Sequence, residues 1–318
     1  MTYSLVARDA ETGELGIAVQ THYFQVGTLV PWARSGVGAV AAQARGPGAD
    51  GRGRGHVEVR YGPLGLDLME SGYSAEQALK ALLTADPFAD WRQVAMIDAT
   101  GGVATHTGSR CVAAAGHRPG PGFSAQGNMM ASDAVWGAIA AGFQSANGRL
   151  AERMLAGLEA GQAAGGDLRG QQSAALLVVA GTASGQPWLD RQVDIRVDDH
   201  TAPLVELRRL LRLRRAYTTL EAAHVALAKG DRPQAETLRS DVLRLAPEVS
   251  ELRFWSALDS AAAGQLDQAV AILTELFAAE ACWLEYMRRL PASGWLDRDL
   301  ARLLEARTTG SHVSAKHR

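Results

Sequence analysis

The sequence has 318 residues, of which 47% are hydrophobic, and a formal net charge of −2. This length allows about two domains with a large core, and the balanced charge gives no global reason to expect binding to nucleic acid or to an anionic membrane. The two cysteines lie far apart, the start lacks a signal-peptide pattern and no apolar run reaches the ~20 residues of a spanning helix, so we expect a cytoplasmic protein in a reducing environment.

The chain begins with a pattern typical of a β-hairpin. Tyr3, Leu5 and Ala7 alternate with Ser4, Val6 and Arg8, residues 9–14 contain turn formers, and residues 15–20 form a second strand-like run. Thr2 follows the initiator methionine, and a small residue here usually allows methionine aminopeptidase to remove Met1. Thr2 would then carry a hydroxyl and a free α-amine at the start of a strand, although by position alone Met-Thr is an ordinary way to begin a protein.

Strands and helices follow each other in blocks through the first 203 residues. The order favours an antiparallel α+β domain over repeated βαβ units, and strands that are apolar on both faces indicate two packed sheets covered by helices. Ser74 and Gln77 have the spacing of a helix-capping box. After the hairpin, the predicted elements are a strand at 36–43, a flexible Gly/Arg-rich loop at 46–55, helices at 63–70 and 74–85, a hairpin of 92–98 and 102–107, a strand at 122–126, helices at 132–146 and 149–164, and strands at 172–179 and 193–197.

From residue 204 the composition changes to Leu- and Ala-rich helix. Small residues and turn glycines recur there at an offset of 34 residues, which predicts a tetratricopeptide-like helical domain over 204–307. An ordinary antiparallel helix bundle with a coincidental offset is the alternative. Residues 308–318 are polar and are predicted to be a disordered tail. The offset pairs Leu220 with Phe254, Ala223 with Ala257, Gly230 with Gly264, Ala235 with Ala269 and Leu238 with Ile272.

The sequence lacks the spacings of several common sites. Its eight histidines form neither His-x-x-x-His nor His-Glu-x-x-His, and neither cysteine has a ligand-spaced partner, so we expect no metal and no cofactor. The absence of Gly-x-Ser-x-Gly argues against an α/β-hydrolase nucleophile. The glycine-rich loop does not end in Gly-Lys-Ser/Thr and does not directly open a helix, which excludes a phosphate-binding loop.

Polar residues at the ends of predicted strands are the remaining candidates for a site. Each of them alone is more readily explained by structure than by catalysis; an Asp and an Arg two residues apart, for example, can simply pair near a helix end. They form a polar pocket only if the strands bring them together, which spacing does not determine. The set is Thr2, His22, Gln43, Arg45, Thr107, Asn128, Asp167, Arg169 and Ser173.

Ordered motifs through the predicted first domain match a known family. They are TYSLVARD at 2–9 with TGELG at 12–16, VG at 26–27 with VPWA at 30–33, GVGAV at 36–40, YGP at 61–63 with GL at 65–66, RQV at 92–94, HTG at 106–108, QGNM at 126–129, and GGD at 165–167 with RG at 169–170 and QSAA at 172–175. On these motifs the chain resembles DUF1028, a bacterial family of unknown function placed among N-terminal-nucleophile (Ntn) hydrolase-like proteins. The resemblance implies a four-layer αββα sandwich. Members commonly have Asn-Pro before Tyr-Gly-Pro, where this chain has a longer Gly/Arg loop.

The resemblance implies hydrolysis of a small amide or peptide-like substrate. In Ntn chemistry the hydroxyl of the N-terminal residue attacks the carbonyl, and its own α-amine, with a pKa of about 7.7–8.0, takes the proton. Thr2 is then the expected nucleophile and Asn128 the expected oxyanion donor, with His22 assisting catalysis by orienting the amine. The expected substrate-binding residues are Gln43, Arg45, Thr107, Asp167 and Arg169.

A second hypothesis makes the first domain a non-catalytic, Ntn-like ligand-binding or scaffold protein whose helical repeats recruit a protein partner. It does not require removal of Met1, and a retained Met1 would favour it. Two repeats without an evident capping helix leave apolar faces exposed, so we also expect a homo-oligomer.

Overall fold

The computed structural model describes residues 2–47 and 55–310. Contacts divide the chain into two compact units, Met1–Leu211 and Arg212–Arg318. Met1, whose removal is predicted above, lies outside the described residues, as does most of the predicted Gly/Arg loop.

The predicted N-terminal hairpin is confirmed and lies in the middle of a six-stranded antiparallel sheet. The strand order is β10-β9-β2-β1-β8-β7. Strand β7 was not predicted because its sequence, GHRPG, has no apolar alternation; it lies at the sheet edge, where a proline is tolerated. The strands are β1 (Thr2–Arg8), β2 (Leu15–Thr21), β7 (Gly116–Gly120), β8 (Phe123–Asn128), β9 (Ser173–Val179) and β10 (Arg191–Val197).

A second sheet has four antiparallel strands in the order β3-β4-β5-β6. The predicted hairpin between its last two strands is confirmed, and an edge strand that begins at Pro31 precedes the strand expected at 36–43. The strands are β3 (Pro31–Arg34), β4 (Gly38–Gln43), β5 (Gln93–Asp98) and β6 (Val103–Thr107).

The helices of the first unit occur where the sequence predicted them, within a few residues. The Ser74 hydroxyl accepts from Gln77 N, and the Gln77 side chain accepts from Ser74 N, which confirms the capping box. Short 3₁₀ turns at Val26–Thr28 and Ala89–Trp91 were not predicted. The α-helices are α1 (Tyr61–Glu70), α2 (Ala75–Ala85), α3 (Val135–Ser145), α4 (Leu150–Ala163) and the four-residue α5 (Pro187–Asp190).

Three hydrophobic clusters show how strand alternation organises this unit. Tyr3 and Leu5 face one way from β1 and pack with residues of α3 and α4. Val6 faces the other way and packs, with Ile17 and Ile97, between the two sheets. A third cluster joins the four-stranded sheet to α1 and α2. The first unit is therefore a mixed α+β structure built on antiparallel sheets, as predicted.

The second unit is helical in its described part. The long helix α6 (Pro203–Ala228) contains the division between the units. The last helix extends three residues into the segment predicted to be a tail, and residues 311–318 lie outside the described range. The following helices are α7 (Arg232–Leu245), α8 (Ser250–Ala262), α9 (Leu266–Ala279), α10 (Cys282–Ser293) and α11 (Arg298–Gly310).

Residues paired by the 34-residue offset have matching environments. Gly230 and Gly264 each follow a helix and adopt φ angles of 79° and 90°, a region that side chains other than glycine rarely adopt. The paired alanines at 223 and 257, and at 235 and 269, are all fully buried. Within the described ranges, no helix is both long and apolar enough to cross a membrane.

Asp98 joins the end of β5 to the start of α2 and provides a pH test of the fold. Burial by itself raises the pKa of this carboxyl, but hydrogen bonds from Ala75 N, Thr100 and Gly102 N outweigh burial and lower the pKa overall. A lowered folded-state pKa stabilises the fold above the unfolded pKa of about 3.9, and this stabilisation is lost as the pH falls through the folded value.

We predict that Asp98→Asn lowers the free energy of unfolding by about 1–3 kcal/mol at pH 7, because charged acceptors become neutral. The deficit should begin to shrink below about pH 4, where the carboxyl of the unfolded wild-type chain becomes protonated, and should vanish as the pH falls through the lower pKa of the folded state. Urea unfolding followed by circular dichroism at several pH values measures both effects. Asp133→Asn, at an exposed position, is the control. A deficit that stays constant from pH 7 to pH 3 would contradict the assignment.

Candidate functional site

Strand register places polar residues in one row across the six-stranded sheet. Thr2 is the cross-strand partner of Thr21 on one side and of Asn128 on the other, and Thr21 is in turn opposite Ser173. Directly opposed residues point to the same face of a sheet. Because Thr2 shares its face of β1 with Val6, this row faces the second sheet.

The second sheet carries a matching row. Gln43 is opposite Gln93, and Gln93 is opposite Thr107. Gln43 and Gln93 alternate with apolar residues that face the four-stranded sheet's own helices, so they point toward the first sheet. One end of the layer between the sheets is thus apolar and the other is polar.

Hydrogen bonds connect the two rows. The Thr2 hydroxyl donates to Thr21 Oγ1 at 3.1 Å. Gln43 Nε2 donates to the carbonyl oxygen of Thr2 at 2.9 Å and to Gln93 Oε1 at 2.7 Å. Asn128 Nδ2 also donates to Gln93 Oε1, at 2.7 Å. Thr2 is therefore held from both sheets.

Gln93 is the centre of this network and is not among the site residues predicted from the sequence. Its Nε2 lies 3.0 Å from Thr107 Oγ1 and 2.8 Å from the carbonyl oxygen of Gly127, and its side chain is fully buried. The signal was weak: an amide at the start of a buried strand, with the same alternation as Ala95 and Ile97. Gln43 Oε1 is buried and has no hydrogen-bond partner in the described part of the chain.

A cavity of about 350 Å³ lies beside Thr2. Its apolar lining comes from Val26, Leu29, Val30, Ala44, Val57 and Val59. Its polar lining comes from Thr2, Thr21, Tyr23, Arg45, His56 and Arg169. No aspartate or glutamate belongs to this described lining.

Arg45 and Arg169, the arginines of the described lining, are held in different ways. Arg169 donates to the carboxylate of Asp167 through Nε at 3.1 Å and Nη2 at 2.8 Å, and the Asp167 carboxylate is fully shielded from solvent. Arg45 is half-buried, donates through Nε to Gly55 O at 2.9 Å and lies 5.6 Å from the centre of the Tyr23 ring.

The predicted site residues separate into three groups. Thr2, Arg45 and Arg169 line the cavity. Gln43, Thr107 and Asn128 belong to the hydrogen-bonded network between the sheets. Asp167 supports Arg169 and also accepts from the backbone N–H of His22, whose side chain is exposed and does not line the cavity. Thr21, Tyr23, His56 and Gln93 were found only in the structure.

Two titratable side chains outside the candidate set, His117 and Cys111, have shifted pKa values. Burial lowers the pKa of His117, and the nearby His106 lowers it further, so the ring that contacts Thr107 Oγ1 at 2.8 Å is neutral at pH 7. Burial raises the pKa of Cys111 to about 11, which leaves a protonated thiol that is a poor nucleophile. Among residues 2–47 and 55–310, no group of three or more His, Cys, Asp or Glu side chains could hold a metal ion.

Comparison with known proteins identifies relatives of the first unit. The family model described as a family of unknown function, DUF1028, matches residues 2–207, which is more than half of the chain. A crystal structure of protein SPO2555 from Silicibacter pomeroyi, assigned to DUF1028, is 28% identical in sequence, with a TM-score of 0.58; the similarity covers 66% of this chain and 88% of that protein. No curated protein matches the chain.

We predict that Gln93→Leu destabilises the protein by about 2–4 kcal/mol, because the buried amides of Gln43 and Asn128 lose a shared acceptor and each unsatisfied group costs about 1–3 kcal/mol. Urea unfolding of the two proteins measures the difference. Gln144→Leu, at an exposed position of α3, should change stability by less than about 0.5 kcal/mol. Equal stability of Gln93→Leu and wild type would show that the network is not needed for the fold.

Proposed function

The chain belongs to DUF1028, a family of unknown function, and we propose that it is an Ntn-type amide hydrolase in which Thr2 is the nucleophile. The observation that carries the proposal is the position of Thr2: it is the first residue of a central strand, it is 6% exposed, and it lines a cavity of small-molecule size. A hydroxyl next to a free α-amine in such a cavity combines nucleophile and base in one residue.

The proposed reaction begins once Met1 has been removed. The Thr2 hydroxyl attacks the carbonyl carbon of the amide, and the α-amine of Thr2 takes the hydroxyl proton. The tetrahedral intermediate collapses as the ammonium returns that proton to the leaving amine, which leaves an ester on Thr2. Water then attacks the ester with the α-amine as base, and the carboxylic acid and free Thr2 are released.

Gln43 supports the formation of an α-ammonium at Thr2. Its Nε2 donates to the carbonyl oxygen of Thr2, so its Oε1 lies near the Thr2 backbone. That oxygen is buried and lacks a partner within the described residues, and a buried unsatisfied acceptor costs about 1–3 kcal/mol. We propose that the ammonium formed during the reaction donates to this oxygen.

Asn128 remains our proposed oxyanion donor. It lies next to Thr2 across the β1–β8 pairing, and one N–H of its amide is used by Gln93. The second N–H of the same group is the proposed donor to the tetrahedral oxygen. A fixed donor of this kind typically contributes about 10²–10³ in rate. The assisting role of His22 is less well supported, because its side chain does not line the cavity.

The finer architecture also belongs to the proposal. We propose that the two sheets, with α1 and α2 on one and α3 and α4 on the other, form the four-layer αββα sandwich of the Ntn hydrolase-like proteins. The matched burial of residues 34 apart and the two turn glycines support a tetratricopeptide-like second unit. Recruitment of a protein partner by this unit and a cytoplasmic location are further proposals.

We predict that intact mass of protein purified from cells lacks Met1, and that the processed protein hydrolyses amides from a panel of N-acyl compounds. Thr2→Ala should abolish this hydrolysis, because it removes the attacking hydroxyl, while Thr2→Ser should retain part of it. Both variants keep a small second residue, so Met1 removal is preserved and can be checked by mass. Full activity of Thr2→Ala, or a retained Met1 in active protein, would contradict the proposal and favour a non-catalytic binding protein.

We also predict that the full chain is a homo-oligomer, because Trp295 and Tyr286 of an aromatic cluster in the second unit are 66% and 36% exposed. Size-exclusion chromatography with light scattering measures the mass directly. A mass of one chain across micromolar concentrations would contradict this prediction.

A further inference from the structure

We infer that the substrate is an N-acyl amino acid: an amide with an apolar group and a free carboxylate, but without a free amino group. This inference rests on the proposed function, because it treats the cavity beside Thr2 as the substrate site. It adds the chemical class that the cavity selects.

The polar lining of the cavity is basic. Arg45, Arg169 and His56 contribute to it, and no acidic residue does so within the described lining. The Asp167 carboxylate that balances Arg169 is fully shielded from solvent and does not belong to the lining. Within the described lining, an occupant therefore meets the Arg45 guanidinium without a competing carboxylate, which favours an anion.

Arg45 is the residue best placed to bind a carboxylate. Its backbone-directed hydrogen bond uses only Nε, and the Tyr23 ring lies against its guanidinium. Among the described residues, Arg45 has no ion pair with a carboxylate, and its two terminal nitrogens make no hydrogen bond. Two parallel N–H groups on a planar guanidinium match the two oxygens of a carboxylate.

The rest of the lining selects an apolar group. Val26, Leu29, Val30, Ala44, Val57 and Val59 provide aliphatic surface, and each methylene buried there should raise affinity about fourfold. The volume of about 350 Å³ suits a small molecule and excludes a folded protein.

The same charges argue against a free dipeptide. A dipeptide carries an ammonium next to its scissile amide, and that ammonium would lie in the same cavity as Arg45, which has no acidic partner within the described lining. Like charges without a screening partner lower affinity. Acylation of the amino group removes the repulsion and adds apolar surface.

The test measures binding to the Thr2→Ala variant, which cannot turn over the ligand. The ligands are N-hexanoyl-alanine, its neutral carboxamide and the dipeptide leucyl-alanine, each titrated by isothermal calorimetry. We expect the acid to bind about ten- to a hundredfold more tightly than the carboxamide, because a hydrogen bond to a charged group is lost in the amide. The dipeptide should bind more weakly than the acid.

Arg45→Gln in the same background should remove the preference for the acid over the carboxamide, because only the acid loses a charge-assisted interaction with the guanidinium. We do not mutate Arg169 in this test, because its loss would leave the buried Asp167 carboxylate without its cation and would destabilise the fold. The control is Arg110→Gln, since Arg110 also lies over an aromatic ring, at 5.4 Å from Trp91, but does not line the cavity.

Equal affinities for the acid and the carboxamide, binding of neither, or a preference that survives Arg45→Gln would each overturn the inference. Acid-selective binding that depends on Arg45, without hydrolysis by the processed wild-type protein, would support the anion site and refute only the proposed catalytic function. Failure of the inferred carboxylate site and failure of the proposed hydrolase function therefore give different results.

Discussion

The register between strands is the constraint on which the candidate site depends. In the six-stranded sheet it aligns Ser173, Thr21, Thr2 and Asn128 across four strands, and in the other sheet it aligns Gln43, Gln93 and Thr107 across three. A shift of one residue in any of these pairings would turn the polar side chains toward the helices and bring apolar ones between the sheets. The apolar end of the same layer, with Val6, Ile17 and Ile97, opposes such a shift. The hydrophobic core therefore positions the polar site.

The polar end of the layer between the sheets is buried, and this burial restricts which hydrogen-bond partners its side chains can have. Gln43, Gln93 and Asn128 are almost fully buried, so their amides must find partners within the protein. The amide N–H groups of Gln43 and Asn128 share the Gln93 oxygen, and Gln43 uses its second N–H on the carbonyl oxygen of Thr2. Gln43 Oε1 is the exception, because it has no partner within the described residues. A network of this type holds the first residue of the strand in one orientation. Precise orientation matters at a nucleophile, because a small misplacement of reacting atoms causes large losses in rate.

The basic cavity and the uncharged hydrogen-bond network both adjoin Thr2, but they have different roles. The network lies between the sheets and is composed of amides and hydroxyls, so it carries no charge. The cavity gathers its cations from outside the rows: Arg45 follows the end of β4, and Arg169 lies in the turn before β9, supported by a buried Asp167. The charged groups close to Thr2 thus lie in loops, while the sheets fix the position of Thr2. Substitutions in the loops can therefore change the ligand preference without moving the proposed nucleophile.

Local pattern alone determined much of this protein. The pattern of residues 2–8, the Ser74 capping box and the apolar runs of the central strands are short-range signals, and the elements they predict occur in the structure. The polar residues at strand ends were recognisable as a set, and motif order identified the family. Strand β7 could not be predicted, because GHRPG has no apolar alternation. The role of Gln93 could not be predicted either, because a single glutamine does not form a spacing pattern. Which of those polar residues reach the cavity was decided only by the tertiary structure. Cross-strand register and the packing of one sheet on the other join residues far apart in the chain, such as Thr2 with Gln43 and with Asn128, and those contacts have no counterpart in local sequence.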